Sequence, residues 1–178
     1  MADEGAPQTV KEWLVAHPVV GWRRHIWLIA TVVVLIGADV ATKQWALHYL
    51  GPRPPIKVIG DWVQFELLFN SGAAFSLGEG FTVAFAALGL VALAFVVVVV
   101  APRLRGTMPN VVGGLLIAGI AGNLADRIFR APASFHGHVI DWIAVRHFAV
   151  FNVADMCITA AAVVVILVLL VSSSKQPS

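Results

Sequence analysis

Residues 81–101 run without one charged side chain and stop at Pro102. A stretch of about 20 apolar residues crosses a bilayer as a helix. Inside hydrocarbon a backbone must satisfy its own hydrogen bonds, which leaves only helices and closed barrels. This one run therefore excludes an ordinary soluble domain. The composition agrees: 59% of the 178 residues are hydrophobic and 12% are charged. Soluble domains carry roughly 45–50% and about 25%. The net charge of +2, with no basic block beyond Arg23 and Arg24, excludes a nucleic-acid partner. The single cysteine, Cys157, sits in an apolar run and reads as a packed core residue.

Three further runs complete the pattern. Residues 108–125 are uncharged and rich in Gly and Ala, small enough for neighbouring helices to approach closely. Residues 156–171 form another, extending back through 148–154 if Asp155 is tolerated. Residues 26–38 reach spanning length only by taking in Asp39 and Lys43, to about Leu50, before Pro52, Pro54 and Pro55. No small-x-small cleavage site follows this run, so it reads as a retained span, not a signal peptide. The expectation is an all-α membrane protein with four transmembrane helices, at about 26–50, 81–101, 108–128 and 150–171.

Arg103 and Arg105 lie in the short loop between the second and third spans, Arg23 and Arg24 precede the first, and Lys175 follows the last. Basic residues favour the cytoplasmic side. Both termini are therefore expected in the cytoplasm: an N-terminal extension 1–25, a membrane domain 26–171 and a tail 172–178. Within the extension, residues 1–22 fit an interfacial helix as well as a plain tail. Two segments then lie outside. Residues 62–67 alternate like a half-buried strand after a Gly60-Asp61 turn, and residues 139–148 are rich in β-branched and aromatic side chains. A small extracytoplasmic β element is expected there.

Charged residues within spans are costly and mark functional sites. Asp39, Asp126, Asp141 and Asp155 all fall toward the same, outer end of the bundle by this topology, with Asn123, Arg127 and Asn152 beside them. Two close carboxylates cannot both ionise easily, so one keeps a proton while the other serves as a base on water. That is the chemistry of amide hydrolysis. Each acid also has a structural reading. Asp39 and Lys43 are spaced as an i,i+4 ion pair, Asp126 adjoins Arg127, Asp155 suits a helix N-terminus, and Asp141 suits a solvated loop. Spacing alone does not choose the pair. His136 and His138 lack further ligands for a metal site, and Ser71 and Ser76 lack a nucleophile elbow. A small proton- or ion-coupled transporter subunit is the competing class. It should carry polar residues through the midplane, whereas residues 96–100 and 163–171 are aliphatic, and no internal repeat supports it.

Five motifs in order settle a resemblance: Asp39-Val-Ala-Thr-Lys43, Asn70-Ser-Gly72-Ala-Ala-Phe75-Ser, Gly122-Asn123-Leu-Ala-Asp126-Arg127, Val139-Ile-Asp141 and Phe151-Asn152-Val-Ala154-Asp155. Together they resemble the bacterial lipoprotein signal peptidase family, signal peptidase II, over residues from about 26 to 171. The resemblance implies an inner-membrane aspartic endopeptidase that cuts diacylglyceryl-modified prolipoproteins before the lipidated cysteine. It implies Asp141 and Asp155 as the catalytic pair, with Asp39, Lys43, Asn70, Gly72, Asn123, Asp126, Arg127 and Asn152 supporting or binding substrate. Neither metal nor organic cofactor is implied. The partners are lipidated prolipoproteins and membrane lipid, and a monomer is favoured. The chain between Asp141 and Asp155 is shorter than in many members.

Overall fold

A computed structural model describes residues 25–51, 53–72 and 80–173. Residues 1–24 of the expected N-terminal extension and most of the tail lie outside these residues. Helix α1 spans Ile26–Tyr49. Strands β1 (Ile56–Ile59) and β2 (Val63–Asn70) follow. Helix α2 (Gly80–Phe95) continues through a π-helical turn, Val96–Val100, and a 3-10 turn, Ala101–Arg103. Then come α3 (Thr107–Phe129), β3 (Val139–Val145), β4 (Ala149–Phe151) and α4 (Val153–Ser173). Among the described residues, four helices are long and apolar enough to cross a membrane. The widened turn before Pro102 has a local cause. Proline offers no N–H and its ring crowds the carbonyl four residues back, which is Val98.

The bundle is apolar outside and polar inside. Val33 and Val34 of α1 are well exposed, as are Leu88 and Val91 of α2, while Asp39 and Lys43 are each 1% exposed. Lipid takes the place of a hydrophobic core, so small residues and polar contacts hold the helices together. Helix α3 is the centre and packs on the other three. Its buried face reads Asn110, Gly113, Gly114, Ile117, Ala118, Gly119, Gly122 and Asp126. At Gly122 a Cβ would stand 2.6 Å from Asp39 Oδ2 and 3.1 Å from the Ala154 methyl, so only glycine lets α1, α3 and α4 meet there.

The strands form one antiparallel sheet in the order β1-β2-β3-β4. It sits on the end of α1 through Ala46, Leu50, Ile140 and Trp142, with Trp45, Leu47, Phe65 and Val153 packed around them. Trp45, Phe65 and Trp142 meet edge to face, with ring centroids 5.1–5.8 Å apart. The β2–β3 register runs Phe65 opposite Ile143 and then Leu68 opposite Asp141. One extra residue in β2 shifts its phase, as a bulge does. Asn70, not Phe69, consequently shares the face of Asp141.

The fourth helix begins later than expected. Residues 149–151 are not helical; they pair with Ile143, Ala144 and Val145 as β4. The short chain from Asp141 to Asp155 is thus a tight hairpin that runs straight into α4.

Candidate active site

Asn152 is the residue between β4 and α4, and its geometry is that of a helix cap. Its Oδ1 accepts from the Asp155 N–H at 3.0 Å, and its own N–H donates to Asp155 Oδ2 at 3.1 Å. This reciprocal pair is a capping box with aspartate at its third helical position. The Asn152 side chain also donates to Asp141 Oδ1 at 2.6 Å and to Asn123 Oδ1 at 3.0 Å. Asn152 is fully buried, and every hydrogen-bonding group of its carboxamide is used. One asparagine therefore holds both Asp141 and Asp155.

Two more asparagines complete the clamp. Asn70 donates to Asp141 Oδ2 at 2.8 Å, and its own oxygen accepts from the Gly72 N–H at 2.8 Å. Gly72 has φ of +84°, in the left-handed region that glycine occupies without strain. Asn123 donates to Asp155 Oδ1 at 2.6 Å. Its oxygen receives Lys43 Nζ at 3.3 Å as well as Asn152. Because the oxygen faces two donors, the amide is fixed in one orientation and its NH2 stays on Asp155.

Behind this clamp lies a buried ion cluster. Lys43 Nζ is 2.7 Å from Asp39 Oδ2 and 2.8 Å from Asp126 Oδ2. Asp39 Oδ1 accepts from the Ala154 N–H at 3.0 Å, and Asp126 Oδ2 from the Ile140 N–H at 3.2 Å. Asp126 also pairs with Arg130 Nε. The cluster, two acids with two bases, pins the start of α4 and the start of β3. Those are the elements that carry Asp155 and Asp141.

The structure brings together every site residue expected from the sequence, with one redistribution. Arg127 does not pair with its neighbour Asp126. It donates from Nη1 to the Asn123 carbonyl at 3.3 Å and lies 5.7 Å from the centroid of the Phe85 ring. Its Nε is buried and takes no hydrogen bond among the described residues. The partner of Asp126 is Arg130, which sequence reasoning missed, although i,i+4 spacing on a helix running to Phe129 pointed to it.

Asp141 differs from its partner in environment. It is 1% exposed, whereas Asp155 is half-buried at the first turn of α4. Burial above all, and also the charge of Asp155, push the Asp141 carboxyl up to about 6, against the opposing pull of the Asn70 and Asn152 hydrogen bonds. Two carboxylates with separated environments and a shared asparagine can work as an acid and a base.

Comparisons with known proteins give the family. A family model described as signal peptidase II matches residues 31–171. A lipoprotein signal peptidase of Streptomyces griseus is 43% identical over 140 residues, covering 78% of this chain and 70% of that one. One of Mycobacterium tuberculosis is 39% identical over 142 residues, covering 79% and 69%. A solved bacterial membrane enzyme superposes with a TM-score of 0.70 at 25% identity, covering 80% of this chain and 92% of that one. The chain belongs to the signal peptidase II family.

Proposed function

We propose that Asp141 and Asp155 are the catalytic pair with which this membrane protease removes signal peptides from lipoproteins. The observation that carries this reading is Asn152, whose side chain bonds Asp141 while its backbone N–H bonds Asp155. In this reading Asp155 is the base. It is the more exposed of the two and so the more open to water. Asp141, buried more deeply, holds the proton. Asp155 takes a proton from water, and the oxygen attacks the carbonyl before the diacylglyceryl-modified cysteine. Asp141 gives its proton to the carbonyl oxygen. On collapse the C–N bond breaks, Asp155 passes its proton to the departing amine, and Asp141 recovers one from the geminal diol. The products are a signal peptide carboxylate and a cysteine with a free amino group. General acid–base transfers of this kind contribute roughly 10²–10⁴-fold each. Arg127, whose Nε makes no hydrogen bond among the described residues, is suited to a substrate carbonyl.

The dyad end of the bundle faces outward in this proposal, and both termini lie inside with the Arg103 and Arg105 loop. The scissile bond then lies near the outer surface of the inner membrane, with the substrate's acyl chains in lipid. The family match is to peptidases, and no comparison points to a transporter.

Cleavage of a lipidated prolipoprotein by purified protein in detergent tests the assignment. Asp141→Asn and Asp155→Asn should each stay folded and lose nearly all turnover. The double variant should be little worse, because groups acting as a unit are non-additive. Substantial turnover by either folded variant would remove that aspartate from the pair and make Asp126 the next candidate.

A further inference from the structure

Successive residues of a strand point to opposite faces, so Ile140 faces away from the side on which Asp141 meets its asparagines. On the Ile140 side lies a cavity of about 490 Å³, lined by Leu47, Phe69, Phe129, Arg130, His138 and Ile140 among others. That volume falls within the roughly 300–1,000 Å³ of ligand sites. Most of the wall is apolar, and Arg130 and His138 supply its polar end. Leu47 and Phe129 belong to the last turns of two membrane-crossing helices. Phe129 is 82% exposed. The groove therefore stands where hydrocarbon gives way to headgroups. A cavity of about 220 Å³, lined by Thr82, His136 and His138, adjoins it through His138 and Pro132. Arg130 is bound to Asp126 through Nε alone; among the described residues its two Nη groups meet no partner.

We propose that this groove holds a phospholipid of the membrane, with its phosphate at Arg130 and His138 and an acyl chain along Leu47, Phe129 and Ile140. The cationic Nη donors that Arg130 leaves free of Asp126, beside His138, complement a phosphate and select this occupant over the substrate's own lipid. A diacylglyceryl thioether carries no charge for Arg130, and its cysteine, placed at Asp141, is on the other face of β3. The two histidines, which the peptidase chemistry leaves unused, gain a role beside the headgroup.

The test uses the full chain in detergent with native mass spectrometry as readout. Phosphatidylglycerol should be retained. Diacylglycerol with the same chains should be retained roughly tenfold less, the loss expected for one hydrogen bond to a charged group. Inorganic phosphate at equal concentration should not displace the lipid. Arg130→Gln should lower phosphatidylglycerol retention by a similar factor. Because that change also deprives Asp126 of a partner, Ala131→Trp provides a second variant. It fills the groove, which Ala131 lines, and leaves both partners of the Asp126–Arg130 pair in place. It too should lose the lipid. Equal retention of the two lipids, displacement by inorganic phosphate, or undiminished retention by either folded variant would overturn the proposal.

Discussion

Replacing Lys43 by methionine removes the one cation that stands between Asp39 and Asp126. Its Nζ lies 2.7 Å and 2.8 Å from their carboxylates, and Lys43 is 1% exposed. At an effective dielectric constant of about 20, each such contact is worth about 6 kcal/mol of bare attraction. Most of that is offset by the cost of stripping water from the charges. What remains on breaking a buried pair is typically about 3–5 kcal/mol, because the partner charges stay buried. Here the four charges balance, and Lys43→Met leaves a net negative charge between α1 and α3. In a chain of this size that loss lowers the melting temperature by roughly 6–20 °C. The protein carries its own reporter: Cys157, buried on α4, becomes reactive to a maleimide dye only when the bundle opens. The decisive comparison is the double variant Lys43→Met with Asp39→Asn, which restores neutrality and should recover a large part of the melting temperature. If Lys43→Met melted like the wild type, or the double variant melted no higher than the single one, the charge-balance reasoning would be wrong.

Other expectations follow from single features. Asp141 is pushed up to about 6 in the folded protein from an ordinary 3.8, so the stability it contributes is complete below 3.8 and lost as pH rises through about 6. Asp141→Asn, which never ionises, should therefore gain on wild type in melting temperature between pH 4 and 7; a constant difference would refute the shift. Gly122→Ala forces a methyl against Asp39 and Ala154 and should cost about 1–3 kcal/mol, read by the same thiol assay; an unchanged melt would show that the helices can separate freely. Asn152→Ala should lower stability by about 0.5–2 kcal/mol as a lost cap and reduce turnover far more than that loss explains. Retained turnover would remove Asn152 from the site.

The spans and the gathering of acids at one end were legible because hydrocarbon permits so few solutions: an uncharged run must be a helix, and a carboxylate within one must turn inward. What escaped notice lay where local pattern is ambiguous. Residues 148–151 are a short apolar run that periodicity alone cannot assign to strand or helix. The decisive signal was the asparagine followed three residues later by an aspartate, which marks a helix start at Val153. Arg127 looked like the partner of Asp126 because it is adjacent, but neighbours on a helix point in different directions and Arg130 shares its face. The extra residue in β2 left no trace in the alternation of residues 62–67, so the register that carries Asn70 to Asp141 was not legible in periodicity, although the motif resemblance had already placed Asn70 in the site.

With Asp141 and Asp155 as the proposed pair, the capping box at Asn152 also bears on when proteolysis becomes possible. The hydrogen bonds that start α4 are the ones that seat Asp155, and the same side chain seats Asp141. A freshly inserted chain whose fourth span has entered the bilayer, but whose hairpin has not closed, has no joined pair of carboxylates. In that reading competence arrives with this turn and is lost when the turn frays. In an exchange experiment the amides of Asn152 and Asp155 should gain protection together with the appearance of activity, making maturation of the enzyme and completion of that turn one event.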